Sequence, residues 1–133
     1  MNPHYEVVAA RAQHRCEYCR APEAVFNFPF EVEHIVPLVA GGVDVEWNLA
    51  LACRSCNVRK GVRVEQVDPV SNTIARLYHP REDSWSEHFA IDIDTGAVTG
   101  RTAVGRATVA QLRMNSSAQL AARRLWIRLG LFP

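Results

Sequence analysis

The sequence predicts a mixed α+β domain, and three observations support this. Two short apolar runs rich in β-forming residues, 32–36 and 47–52, flank a Gly–Gly loop at 41–42, which predicts a hairpin. A Cys-x-x-Cys then opens a short basic segment, 54–63, which predicts a helix directly after the hairpin. Later in the chain, alternating runs and a turn precede two helical stretches. We therefore expect a hairpin–helix core extended by a C-terminal β-hairpin and two helices.

The N-terminal residues predict a helix that leads into the first pair of cysteines. Pro3 is suited to a first helical turn, and apolar residues at helical spacing follow it, so we expect a helix over 3–14. Residues 24–31 are aromatic and irregular, and Pro29 limits any strand there to an edge or a break. The chain then enters the first apolar run.

The middle of the chain predicts strands. A strand is expected over 73–78, after the turn signal at 68–72. Residues 89–93 alternate, 94–96 are turn formers, and 97–99 return, so these segments predict the second hairpin.

Residues 102–133 predict two helices. Thr102 can cap a helix that runs to about residue 114, and Asn115-Ser116-Ser117 interrupts the helical pattern. A final helix is expected over 118–129, ended by Gly130. Its predicted buried stripe is Leu120, Leu125 and Leu129.

Length and composition indicate one small globular domain. With 133 residues, we expect a core over 1–66 and an extension over 67–133 packed on it as one compact unit. No apolar run reaches the length of a membrane span, and the N-terminus has no secretory pattern, so we expect no membrane association and a cytoplasmic location. The sequence leaves the oligomeric state open.

Four cysteines in two Cys-x-x-Cys pairs predict a structural zinc site. In a reducing compartment such pairs favour metal over disulfides, and four thiolates suit tetrahedral Zn²⁺. The 33 residues between the pairs exceed the gap of a simple zinc ribbon, which is explained if the predicted hairpin occupies that interval. The alternative is four buried free thiols. The predicted ligands are Cys16, Cys19, Cys53 and Cys56.

Residues 16–61 combine these cysteines with further motif positions in a fixed order. After the first pair come Glu33-His34-Ile35-Val36-Pro37, Gly41-Gly42, Asn48-Leu49, and then Cys53-x-x-Cys56-Asn57 with Lys60. This arrangement resembles the HNH nuclease family, in which Cys-x-x-Cys precedes an acidic residue and His, Ile-x-Pro, Gly-Gly, Asn-Leu, and a second Cys-x-x-Cys with Asn or His and Lys. The segment 81–133 is similar to the C-terminal extension of small free-standing HNH proteins.

The resemblance implies a ββα-metal nuclease core that hydrolyses phosphodiester bonds in DNA and leaves 5′ phosphate and 3′ hydroxyl ends. His34 is the predicted general base, because neutral imidazole can take a proton from water at physiological pH. A divalent cation would stabilise the charge that develops on the phosphate and the leaving oxygen.

By the same resemblance, Glu33 and Asn57 hold the catalytic cation, and Asn48 bridges backbone groups so that His34 stays in place. Their hard oxygen atoms suit Mg²⁺ or Mn²⁺. The sequence departs from the commoner family pattern by having Glu where Asp is usual and Asn where His is usual. Neighbours on a regular strand face opposite ways, so Glu33 and His34 share a site only where the backbone is irregular.

The charge distribution points to a polyanionic partner. Residues 1–94 contain 14 acidic and 9 basic side chains, whereas 95–133 contain six Arg and no acid. Near the motif, the candidate nucleic-acid contacts are Arg54, Arg59, Lys60 and Arg63. We expect double-stranded DNA as the partner. Two alternatives remain open: a non-catalytic zinc module that binds nucleic acid through these cations and the Arg-rich tail, and a protein-interaction zinc domain.

Overall fold

The computed structural model describes residues 1–133 and contains five α-helices and three two-stranded antiparallel sheets, which confirms a mixed fold. The helices are α1 Tyr5–Arg11, α2 Arg54–Lys60, α3 Trp85–His88, α4 Ala103–Leu112 and α5 Ser117–Arg128. The strands are β1 Glu31–His34, β2 Leu49–Ala52, β3 Glu65–Val67, β4 Ile74–Arg76, β5 Phe89–Ile91 and β6 Val98–Gly100. None of the helices has the length and apolarity needed to cross a membrane.

The centre of the fold is the β1–β2 hairpin. Its register pairs Glu31 with Ala52 and His34 with Leu49. Every residue of β2 is completely buried, and both α1 and α2 contact this strand. Because β2 is covered by helices, it has a continuous apolar sequence and not the alternation of a half-exposed strand. Helix α2 starts immediately after β2, with Cys53 as its N-cap residue.

Helix α1 is shorter than the predicted 3–14. It ends at Arg11, because Gln13 and His14 both have a φ of +55° and leave the right-handed helical region. The left-handed pair redirects the chain toward the first cysteines, which the apolar spacing alone did not indicate.

The β3–β4 hairpin shows that one strand was missed in the sequence. The predicted strand at 73–78 corresponds to β4, but its partner β3 is a short segment with two of its three residues exposed, so it gave no alternating signal. The buried Asp68 closes the turn after β3 and forms a two-point ion pair with Arg106 of α4, with both N–O distances at 2.9 Å. The expected division after residue 66 falls inside β3, and the expectation that 67–133 packs on 1–66 as one compact unit stays a prediction.

The C-terminal residues form β5, β6, α4 and α5. The Thr102 hydroxyl accepts a hydrogen bond from the Gly105 N–H at the start of α4, and Ser116 and Gln119 form a capping box at the start of α5. The predicted buried stripe of α5 was wrong, because Leu125 and Leu129 are 48% and 62% exposed.

The face of α5 that is turned inward contains Arg123 and Trp126. Arg123 is 1% exposed, and the Trp126 ring lies 6.1–6.2 Å from the rings of Phe26 and Phe132. Apolar spacing could not predict this face, because a long side chain with a charged end occupies its centre.

Candidate metal centre and active site

The first cysteine pair lies in a tight turn that is fixed to β2. The Cys16 N–H donates to the Ala21 carbonyl over 3.0 Å, and Arg20 adopts a φ of +68° to close the turn. The Glu17 N–H donates to the Leu51 carbonyl, and the Glu17 carboxylate accepts from the Leu51 N–H, both over 2.8 Å. This two-way contact holds the turn beside the start of α2, where the second pair lies.

The four cysteine sulfurs form one compact group. All four Sγ atoms lie within 4.8 Å of one another, and Cys19 and Cys53 are 3.8 Å apart. A Zn–S bond of about 2.3 Å places the sulfurs of a tetrahedron about 3.8 Å apart, so this spacing fits zinc. All four side chains are buried, which matches a closed structural site and not an open catalytic one. The predicted ligand set is thus brought together.

The sulfurs share their protons unequally. Hydrogen bonds from Cys16, and then from Cys19 and Cys56, lower the pKa of Cys53, whereas hydrogen bonds with neighbouring sulfurs raise the pKa values of Cys19 and Cys56 well above that of an ordinary thiol. The guanidinium of Arg123 lies close enough for the four sulfur charges to oppose the lowering of its pKa by burial. A bound Zn²⁺ would keep all four as thiolates, and Arg123 would then offset part of their charge.

The second centre is an open cleft of about 390 Å³ between the end of β1 and α2. His34, Glu33 and Asn57 all line it, so three of the residues predicted from the motif meet at one place. Leu38 and Val39, which are 57% and 83% exposed, form an apolar part of its rim.

Glu33 and Lys60 form a buried ion pair beneath this cleft. The Lys60 ammonium donates to the Glu33 carboxylate over 2.9 Å and to the carbonyls of His34 and Ile35, and the Tyr18 hydroxyl donates to the other Glu33 oxygen. Burial raises the pKa of Glu33, and the charge of Lys60 opposes that rise. Lys60 is 2% exposed, unlike the surface phosphate contact predicted for it. In this position it holds the backbone carbonyls of His34 and Ile35, at the end of β1.

The loop after β1 is held by Asn48. Its side-chain oxygen accepts from the Val36 N–H, and its amide donates to the carbonyls of Val36 and Val43, each over 2.9 Å. A Cβ atom on Gly42 would lie 1.8 Å from the Val36 oxygen, so only glycine allows this close approach. Asn48 therefore lies behind the cleft and fixes the backbone around it.

His34 has a partner that the motif did not indicate. Its Nε2 lies 3.0 Å from the Asp44 carboxylate, and the two side chains are 29% and 65% exposed. If Nε2 carries the ring hydrogen and donates a hydrogen bond to Asp44, then Nδ1 is unprotonated and can accept a hydrogen bond or a proton. The signal available in the sequence was only an Asp two residues after the Gly–Gly turn.

Asn57 also has an unpredicted neighbour. Its side-chain amide donates to Glu31, whose other oxygen accepts from Arg54 over 2.8 Å. Glu31 and Glu33 are two residues apart on β1 and therefore lie on the same face of the strand, toward α2. The two-residue spacing of Glu31 and Glu33 was visible in the sequence. The predicted strand began at residue 32, however, and so left Glu31 out.

The remaining cations predicted to contact nucleic acid differ in how free their side chains are to do so. Arg59 donates to the Arg113 carbonyl over 2.7 Å and to the Gln119 side chain over 2.8 Å, so it connects α2 to the C-terminal helices. Arg54 and Arg63 are exposed.

The comparisons with known proteins agree with this arrangement. Residues 16–63 match the sequence model of the HNH endonuclease family. Over 118 residues, or 87% of the chain, the sequence is 28% identical to the Septu protein PtuB of Bacillus thuringiensis. The chain spans 42% of the length of that curated relative. No solved structure matches the chain.

Proposed function

We propose that this protein is a metal-dependent DNA endonuclease in which His34 is the general base. The observation that supports this most directly is the position of His34. Its ring lines an open cleft, and Asp44 holds one ring nitrogen. Lys60 and Asn48 hold the backbone from His34 to Val36. A satisfied core histidine would need neither the open cleft nor a partially exposed ring.

The β1–β2–α2 unit would form the ββα-metal core. In the proposed reaction, Nδ1 of His34 accepts a proton from a water molecule in the cleft, and the oxygen of that water attacks the phosphodiester phosphorus. The bond to the 3′ oxygen breaks, leaving 3′ hydroxyl and 5′ phosphate ends. Asp44 keeps the Nε2–H tautomer and favours the imidazolium that forms.

A divalent cation such as Mg²⁺ or Mn²⁺, when bound, supplies charge stabilisation at the scissile phosphate. The residues that would hold it are Asn57 and the carboxylates on the inward face of β1, Glu33 and Glu31. All three offer the hard oxygen atoms that these cations prefer. Ligation by Glu33 requires Tyr18 or Lys60 to release one of its oxygens, whereas Glu31 is already in contact with Asn57.

We further propose that the cysteine site holds Zn²⁺ as a structural ion and that double-stranded DNA is the substrate. Arg54 and Arg63 are the cations best exposed for phosphate contacts near the cleft. Arg59 and Lys60 would act indirectly, because they position α2 and β1. The rival function, nucleic-acid binding without cleavage, needs neither the His34–Asp44 pair nor the oxygen groups around Asn57.

A plasmid-nicking assay with Mg²⁺ or Mn²⁺ tests the proposal. His34→Ala should lower cleavage by about two to four orders of magnitude, because it removes the general base, and should leave zinc content and DNA binding unchanged. Asp44→Asn should retain part of the activity, since the amide oxygen can still accept from Nε2–H but no longer carries a charge that stabilises the imidazolium. Cleavage by His34→Ala at the wild-type rate would contradict the proposal and favour the binding module.

A further inference from the structure

A second cavity of about 390 Å³ lies between the first cysteine turn and the segment 78–85. Its lining is mostly polar and shares no residue with the cleft of His34. Three arginines line it: Arg11 from α1, Arg20 from the cysteine turn, and Arg81. The proposed nuclease reaction uses none of them.

Arg81 has an unsatisfied donor at this cavity. Its side chain is 8% exposed and pairs with Glu17, but no group of the protein accepts from its buried Nε. A buried donor without an acceptor is unfavourable, so a bound ligand or water is expected to satisfy it. Burial, and then the charge of Arg11, lower the pKa of Arg81 to about 10.

The acidic residues that line the cavity pair with Arg81 and Arg76 and leave Arg20 without an acidic partner. Glu17 is already used by Arg81 and by the Leu51 N–H. Asp83 accepts from both terminal nitrogens of Arg76, over 2.6 and 3.0 Å, and Arg76 lies outside the cavity lining. Both carboxylates therefore already have an arginine partner within the protein.

The two other arginines are held in place for binding. The Arg20 guanidinium stacks over the Trp85 ring at 5.2 Å from its centre and has no hydrogen-bond acceptor within the protein. Arg11 donates to the carbonyls of Glu46 and Leu49, over 3.0 and 2.6 Å, which fixes its orientation. The Glu46 carboxylate supplies the one negative charge that acts on Arg11.

We infer that this cavity binds a phosphate-type oxyanion, supplied either by a nucleic-acid backbone or by free phosphate. Guanidinium groups pair with phosphate oxygens in a planar, two-point geometry, and the Arg20 guanidinium and the Arg81 Nε both lack an acceptor here. The anion accepts from Arg20 and Arg81 and balances the charge that Glu17 and Asp83 leave uncompensated. The inference extends beyond the proposed cleavage reaction, because binding here requires no chemistry at His34.

Titration of the zinc-loaded protein with inorganic phosphate, at ionic strength matched with chloride and without divalent cations, tests the site. We expect saturable shifts of backbone amide resonances around residues 16–20 and 78–85. Arg20→Gln should weaken phosphate binding about tenfold, the loss expected for a charge-assisted hydrogen bond. Arg128→Gln, which removes an exposed arginine of α5, is the matched control. No saturable shift, or an equal response in the two variants, would overturn the inference.

A short DNA duplex in the same experiment distinguishes the two sources of phosphate. If the duplex competes with phosphate, and Arg20→Gln reduces the salt slope of DNA binding by about one unit, the site holds the nucleic-acid backbone. If phosphate binds but DNA binding is unchanged by Arg20→Gln, the ligand is free phosphate. His34→Ala should bind phosphate like the wild type, so failure of the proposed nuclease function and failure of this site are separately visible.

Discussion

Replacing Arg123 by Met tests whether this arginine is part of the core or part of a DNA-binding surface. The sequence placed it among six C-terminal arginines available for phosphates, but the structure buries it. Its guanidinium donates to the Gly96 carbonyl over 2.7 Å, to the Asn115 side chain over 3.1 Å, and to the Met114 carbonyl. Met would keep the apolar stem and remove every one of these donors.

The expected loss follows from these contacts. Three acceptors lose a charged donor, two of them through hydrogen bonds that are buried, and one charge-assisted hydrogen bond is worth about 1.5–3 kcal/mol. Because such losses do not add fully, we expect Arg123→Met to lower the free energy of unfolding by about 3–5 kcal/mol. At this chain length that corresponds to a fall in Tm of roughly 10–20 °C. Zinc should also bind less tightly, because the cation beside the four sulfurs is gone.

Urea unfolding of the zinc-loaded protein, followed by circular dichroism, measures the effect. Arg124→Met is the matched control, since Arg124 is exposed and makes one hydrogen bond of 3.2 Å to the Thr95 carbonyl. The control should change the unfolding free energy by no more than about 0.5 kcal/mol. If the two variants lose equal stability, the assignment of Arg123 to the core is refuted.

Two further predictions concern stability. Cys53→Ser should lose zinc and folded structure together, because a structural zinc site contributes about 10–16 kcal/mol, which is comparable with the whole stability of a domain. Elemental analysis for zinc and circular dichroism for folded structure check this. Well-folded protein without zinc would contradict it. Asp68→Asn should lower the Tm at pH 7, because hydrogen bonds from Arg106, and then from Ser71 and the backbone, lower the pKa of Asp68 in the folded state despite its burial. The stabilisation is present above the unfolded pKa of about 3.9 and is lost as the pH falls through the folded pKa, so the difference in Tm between the variant and the wild type should shrink in acid.

The C-terminal half shows where local pattern is insufficient. The starts of α4 and α5 were predicted from Thr102 and from the Asn-Ser-Ser segment, because helix capping depends on residues close together in the chain. The buried face of α5 was not visible, since Arg123 is buried only where distant carbonyls accept from it. Strand β3 was missed for a related reason: it pairs with β4, and its own residues are short, exposed and without alternation.

The sequence by itself determined the motif order of residues 16–61 and predicted that its four cysteines come together, because cysteine pairs and glycine turns require particular residue types at fixed spacings. Only the tertiary structure decided how the polar side chains are paired. It placed Lys60 under Glu33, joined Asp44 to His34 across the Gly–Gly loop, and set Glu31 against Asn57. Such pairings depend on which chain segments meet across the hairpin and the helix, and that information is in no single stretch of the sequence.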